Sequence, residues 1–310
     1  MPAATPFTDP IAVETWDAWF RWRADGVLRD VTIDDTWRRV ADTVAAVNGT
    51  QAPLWAHRYI DAFSRWRLLP DERLLRCLGT THLAAADGPP AAALNASSFV
   101  EVAFGAGARF NRNLCADTAT LAVRLLDDAV LSGALRGGEG LRIGVVGFDD
   151  ALMKLGLVYT SPHARELART LALAVAEGCL RGSTDLAEER GPTASVQVTQ
   201  ALATHWRAHG VGETVVERAR RCGLRHAPLT AIQRHPLLAR LANGSSDALD
   251  PAQARALNDE ATAIAREAIC KSMQALIDLP IEDGPGGDTP PWHIGHSSAT
   301  DEVPGRISPA

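Results

Sequence analysis

The chain has 310 residues, 46% hydrophobic and 22% charged, with a formal net charge of −6; that is the composition of an ordinary globular protein of one or two domains. The acidic balance excludes non-specific grip on a nucleic-acid backbone, which needs a basic face. No apolar run approaches the ~18 residues of a membrane span, and the opening MPAATPFTDP has neither the basic nor the apolar region of a secretory signal.

Residues 1–9 read as a disordered start. Residues 11–66 read as helical. Trp16, Trp19, Phe20 and Trp22 crowd one segment. Thr32 or Asp34 is placed to cap a second helix, whose Trp37, Val40, Val44 and Val47 form an apolar stripe at helical spacing. A third segment carries Trp55, Tyr59, Ala62, Phe63 and Trp66. Aromatic stripes of this kind make a core; the flanks are not basic, as a base-stacking platform requires. Residues 84–109 then read as a Gly/Pro/Ala linker around one short strand, Ser98 to Phe104.

Helix returns from about Asn113 to Leu131, and the RGGEG at 136–140 is a turn. A long helix is predicted from about Pro162 to Glu189, broken by Gly191-Pro192. Two shorter helices follow near 196–208 and 212–221. Asp250-Pro251 reads as N-cap and first turn of a last helix running to about Leu279. The tail 280–310, rich in Gly, Pro, Ser and Asp, cannot bury much. Its His293 and His296 have ligand-like spacing, but a metal site also needs further ligands held in place, so no metal is expected.

The local motifs exclude more than they assign. GVVGFDD (144–150) lacks the third glycine of a dinucleotide loop and reads as a tight helix entry. Asp149 and Asp150 diverge by about 100° on a helix and do not pair for acid–base work. There is no HExxH, GxSxG or Walker A motif. Cys77, Cys115, Cys179, Cys222 and Cys270 form no CxxC pair and read as reduced, mostly buried thiols of a cytoplasmic protein. Lysine occurs only at Lys154 and Lys271, which leaves few candidates for a Schiff base. The most polar stretch, 225–247, gathers Arg225, His226, Thr230, Arg234, His235, Arg240, Ser245 and Ser246. Arg forks, hydroxyls and turn amides are the means by which an anion such as phosphate is held.

That stretch and its neighbours carry a resemblance. LRIGVVGFDDALMKLGLVYTSPHARELA (141–168) resembles the "IGLGVMGLADALAKLGIPYDSEEA" segment of the ribonucleotide reductase large (catalytic) subunit. LRHAPLTAI (224–232) is similar to its "RNAQLTAIAPTGT", and LTAI with ARLANGSS and LDP (249–251) to "ISLIAGVSSGIEP". Upstream, WRLLPDERLLRCLGT (66–80) resembles "LRFLPNSPTLMNAGT", which opens the family's barrel, ALNASSFV (93–100) resembles "SINLAKFV", and Phe110 to Val130 fits "FDW…LAVRFLDNVI".

The resemblance implies a fold and a chemistry, and this sequence departs from both. The family works through a thiyl radical on a barrel cysteine flanked by Asn and Glu, with two further thiols as reductant. Here Pro89 stands where one cysteine belongs, and THLAAAD (81–87) offers alanines for another. Most of the barrel between Thr80 and Ala91 is missing. Asn113-Leu114-Cys115-Ala116-Asp117 imitates the radical motif, with Asp for Glu, but falls on a helical period. In the phosphate loop, Arg234, His235, Pro236 and Leu237 replace Pro-Thr-Gly-Thr.

The expected fold is therefore α+β and predominantly α-helical: a truncated barrel remnant with few strands, in place of a complete ten-stranded barrel. Residues 10–80 form a helical N-terminal region, 81–279 a reductase-like helix-rich domain and 280–310 a flexible tail. Three functions follow. The first is a non-radical enzyme binding a nucleotide or other phosphorylated or anionic metabolite through Arg225, Thr230, Arg234, Ser245, Ser246 and Asn95, with His226 or His235 carrying protons. The second is a catalytically dead binding or regulatory partner of a reductase, or a homodimer, using the Trp-rich N-terminus. The third is a genuine reductase with Cys115 as radical thiol and Asn113 and Asp117 as its partners, which would require adenosylcobalamin or a radical-generating partner subunit.

Overall fold

A computed structural model describes residues 5–81, 88–103, 107–136, 140–193, 196–252 and 260–281. The tail's His293 and His296 lie outside the described residues, as does the predicted helix stretch at 253–259.

Helix α1 (Pro10–Trp19) is capped by the Asp9 carboxylate, which accepts from the Ile11 N–H. A two-stranded hairpin follows, β1 (Arg23–Ala24) with β2 (Val27–Leu28). The predicted Thr32 cap is present as a capping box with Asp35, opening α2 (Ile33–Ala45). α3 (Ala52–Ser64) completes the aromatic helices. Trp37, Tyr59 and Phe63 are fully buried, and Trp37 meets Phe63 and Trp66 at ring distances of 5.5 and 5.8 Å. The aromatic stripe is core, as its spacing predicts. Residues 5–9 depart from the frayed start: the Thr5 hydroxyl donates to Asp34, the Thr8 N–H donates to Asn243, and Trp66 donates to the Pro6 carbonyl.

β3 (Leu68–Pro70) pairs antiparallel with β4 (Ala91–Asn95), and β4 pairs parallel with β7 (Arg142–Val146). Between β3 and β4 lies the short α4 (Glu72–Cys77). β5 (Val100–Ala103) and β6 (Gly107–Phe110) form a separate hairpin. The strand predicted over 98–104 is thus shorter, and β1 to β4, β6 and β7 were not foreseen; β1 and β2 interrupt the stretch 11–66 read as helical. Three of the five residues of Ala91–Asn95 are alanine, a residue depleted in strands; burial between its two neighbours holds it there. Among the described residues no sheet exceeds three strands and none closes into a barrel, as expected from the missing barrel sequence.

The body is an α-helical pair. α5 (Arg112–Leu131) packs along α7 (Pro162–Arg190). The contact is so close that a Cβ at Gly178 would stand 2.1 Å from the Ala116 carbonyl oxygen, and one at Gly182 2.9 Å from that of Thr120. Around them lie α6 (Phe148–Lys154), α8 (Gln200–Ala208), α9 (Glu213–Cys222), α10 (Pro236–Leu241) and α11 (Glu260–Gln274). One hydrophobic core runs from Trp16 to Ile281. The β3–β4 pairing and the contacts of α2 and α3 with α5 cross the 80/81 division read from the sequence, so the two parts share one interior.

Candidate functional site

The residues predicted to hold an anion do not meet in one place. Arg225 pairs with Asp127 at 3.1 Å, and His226 Nε2 lies 2.7 Å from the same carboxylate. Arg190 bridges Asp127 and its neighbour Asp128, which also accepts from the Tyr59 hydroxyl at 2.6 Å and Asn48 at 2.7 Å. This network ties α3, α5 and the end of α7 to the 225–226 segment. Burial alone would raise the Asp127 pKa, but His226, Arg190 and Arg225 overcome it and hold the carboxyl far below its usual range.

Elsewhere the polar stretch serves the backbone. The Thr230 hydroxyl accepts from the Asp278 N–H. Ser245 donates to the Ala242 carbonyl. Ser246 Oγ accepts from the Asp149 N–H, while the Ser246 N–H donates to Asp150 at 2.7 Å. Asp149 in turn accepts from the Ala252 N–H. The two adjacent aspartates therefore act separately, as expected, and both hold the 246–252 loop. Asn95 accepts from the Ser97 N–H, capping the turn at Ala96–Phe99. Its side-chain oxygen lies 2.3 Å from where a Cβ on Gly147 would stand. Gly147, at φ 71°, is the tight entry to α6 read from the sequence, although a strand, β7, precedes it. Arg234 pairs with Asp250 at 3.0 Å.

The imitation of the radical motif is not assembled. Cys115 is fully buried on the inner face of α5, whereas Asn113 and Asp117 are exposed and Asp117 pairs with Arg181 at 2.9 Å. Burial pushes the Cys115 and Cys179 thiols far above the normal range, and each lies in the core at the α5–α7 contact. The remaining cysteines are dispersed: Cys77 ends α4, Cys222 donates to Glu188 on the surface of α7, and Cys270 lies buried on α11. A chemically competent trio would need substrate access to one thiol and two more within exchange reach.

His235 occupies a different setting. It lines a cavity of about 220 Å3 with Asp71, Glu72, Arg73, Ala91 and Leu238. The cavity lies against the β4–β7 sheet: a Cβ on Gly144 would come 3.7 Å from His235 Nε2 and 2.6 Å from the Ala231 carbonyl oxygen. The absence of a side chain at 144 thus makes room for the Ala231 carbonyl, with the imidazole at ordinary contact distance beyond. The His235 N–H donates to Asp247 at 2.7 Å, which fixes the start of α10. Asp71 is clamped by Arg73 at 2.5 Å and accepts from the Ala91 N–H.

Burial lifts the Glu72 carboxyl above its usual range, with the Asp71 and Asp247 charges adding to the lift against the opposing Arg76. Burial and the Asp250 charge raise Asp247 in the same way, against the pull of His235 and Arg234. His235 and Glu72 line the same cavity, and an imidazole sharing a cavity with a carboxyl that resists ionisation is suited to moving protons. Asp71, Glu72, Arg73 and Asp247 were missed from the sequence. The available signal was Pro70-Asp71-Glu72, a helix-start pattern, which gives no hint that the helix faces residue 235. Among the described residues no group of three or more His, Cys, Asp or Glu is disposed to hold a metal ion, and no helix is long and apolar enough to cross a membrane.

Residues 138–257 match a family model described as "Ribonucleotide reductase, barrel domain". No curated protein matches the chain. The matched segment contains β7, α6 to α10 and His235, and leaves out α1 to α5.

Proposed function

We propose that this chain, a relative of the ribonucleotide reductase large subunit through its barrel-domain segment, is a non-radical protein that binds a small polar metabolite in the His235 cavity and moves a proton there. The observation that carries the reading is that His235 and Glu72 line one cavity on the sheet face, with Asp247 accepting from the His235 backbone N–H. In this reading His235 is the proton carrier, Asp247 positions its backbone, and Glu72 is the second proton-bearing group. A cavity of about 220 Å3 is smaller than the ~300–1,000 Å3 of typical ligand pockets, so a metabolite smaller than a whole nucleotide is favoured. The carboxyls around it also make this cavity a poor seat for a bare phosphate.

The test is a thermal-shift and calorimetry screen of nucleosides, nucleotides and small hydroxy and phosphorylated metabolites against the intact chain. A ligand present at 100 times its Kd stabilises by about 2.7 kcal/mol. The reading expects a ligand whose binding is lost in His235→Ala and Glu72→Gln and kept in Cys115→Ala. A ligand indifferent to His235 but dependent on Cys115 would refute it.

A second reading, a catalytically silent binding partner, is favoured by one observation. Ile11, Val13, Trp19, Val27, Leu28 and Val31 are each more than two-fifths exposed, a concentration of apolar surface on α1 and the β1–β2 hairpin. Under this reading Trp19→Asp with Val27→Asp abolishes association with a partner chain, or with a second copy, in pull-down and sedimentation experiments. A wild-type chain that stays monomeric and captures nothing contradicts it.

A further inference from the structure

A second cleft lies elsewhere, between α3, α5 and α7, with a volume of about 420 Å3. Its walls include Trp55, Arg58, Arg67, Leu121, Arg124 and Asp185. None of it belongs to the His235 cavity, and α3 and α5 lie outside the family match.

Most of its charges are already matched. Arg124 pairs with Glu189, Asp117 with Arg181 and Asp185 with Arg218. The end of α3 is not balanced. Arg58, Arg65 and Arg67 face a single carboxylate, Asp61, whose Oδ1 is held by Arg65 at 2.7 Å; Arg67 reaches it only at 3.5 Å. Among the described residues Arg58 has no ion pair or hydrogen bond, its guanidinium lying 4.7 Å over the Trp55 ring. Glu101, the next carboxylate in the field of Arg67, is taken by Arg109 and Asn111. Three cations against one anion leave two positive charges over at this helix end; of the four groups Arg58, Arg67 and Asp61 line the cleft and Arg65 does not.

We propose that this cleft is a second binding site, for a phosphate monoester with an apolar or aromatic body, whose dianionic head is held by Arg58 and Arg67. Guanidinium forks match phosphate oxygens in geometry, and two of them neutralise a dianion. Leu121 and Ala62 provide the apolar wall for the body, beside Trp55, whose ring lies under both Arg58 and Arg124. The Arg67 cation is disfavoured where it stands by partial burial and by the neighbouring Arg65 charge, which a bound anion would relieve. The cleft volume falls within the range of small-molecule sites.

The test is calorimetric titration of the intact chain with phenyl phosphate, inorganic phosphate and phenol. Phenyl phosphate binds at one site, at least fivefold tighter than inorganic phosphate, and phenol does not bind. Arg58→Ala and Arg67→Ala each weaken phenyl phosphate tenfold or more. Arg65→Ala, which removes an equal charge from the same helix end outside the cleft, changes it less than twofold. Thermal unfolding of each variant checks that the fold is retained; these side chains are exposed or half-buried, and Arg67→Gln repeats the test if Arg67→Ala is unstable. Binding also weakens below about pH 6, where a monoester loses its second charge. An equal loss in Arg65→Ala marks diffuse attraction and overturns the site, as does inorganic phosphate binding as tightly as the phenyl ester, or no binding at millimolar concentration. His235→Ala leaves phenyl phosphate binding unchanged, so the two sites fail or stand separately.

Discussion

Asp278→Asn should remove a pH-dependent weakness of the fold. The Asp278 carboxyl turns inward, accepting from the Leu229 N–H at 2.5 Å and the Thr230 N–H at 3.1 Å, beside a water-sized space walled by Cys179, Leu180 and Trp206. Burial raises its pKa to about 6, against the pull of those backbone donors. The ordinary value is 3.8. An acid whose folded pKa is raised is easier to bury protonated. Its contribution is therefore intact below about pH 4 and is lost as pH climbs through 6. At 1.36 kcal/mol per pH unit, ionisation costs about 3 kcal/mol at pH 7.5 and about 1.5 kcal/mol at pH 5. Asn keeps an oxygen for the two N–H donors and carries no charge. Urea unfolding of both proteins at pH 5.0 and 7.5 isolates the effect, because every other titrating group is common to both. The difference in unfolding free energy, variant minus wild type, should rise by roughly 1.5 kcal/mol between the two pH values. Parallel behaviour at both would refute the claim that this carboxyl is enclosed.

Gly178→Ala should destabilise by about 3 kcal/mol or more in urea, since its Cβ meets a helix carbonyl that cannot give way; a loss under 1 kcal/mol would contradict the α5–α7 contact. Arg190→Met should cost about 3–5 kcal/mol by stranding the buried Asp127 and Asp128 carboxylates, and adding Asp127→Asn and Asp128→Asn should restore part of it. Asp127 is held far below its usual pKa, so its contribution is complete at pH 7, starts to fade below the ordinary carboxylate value and is lost only as pH falls to the depressed one; Asp127→Asn should accordingly lower the melting temperature at pH 7 and still do so, by a somewhat smaller amount, at pH 3.

The sequence was legible where one physical pattern dominated. The Trp37, Val40 and Val44 part of the first stripe (Val47, predicted with them, is exposed past the end of α2), the Thr32 cap, and the Pro162 start and Gly191 stop of α7 each rest on short-range chemistry. β4 was hidden because its alanines have no strand preference of their own and are ordered by pairing with β3 and β7. The site was harder still. Arg225, Ser246 and Asn95 are polar, as an anion site requires, but their partners Asp127, Asp150 and the Ser97 N–H stand at other places in the chain. No local spacing reveals which polar residue is already satisfied. His235 was singled out; its setting was not, because Glu72 lies more than 160 positions before it. The motif at 113–117 misled by spacing alone, and its helical period was the better guide: on a helix Cys115 points away from Asn113 and Asp117.

Alkylation of the native chain with iodoacetamide, read residue by residue by mass spectrometry, tests the loss of thiyl chemistry most directly. Cys77 and Cys222, which are partly exposed, should be labelled first, while Cys115 and Cys179 react only after unfolding. Rapid labelling of Cys115 in the folded protein, blocked by an added nucleotide, would mean that this thiol faces a substrate and that radical reduction belongs to the chain after all.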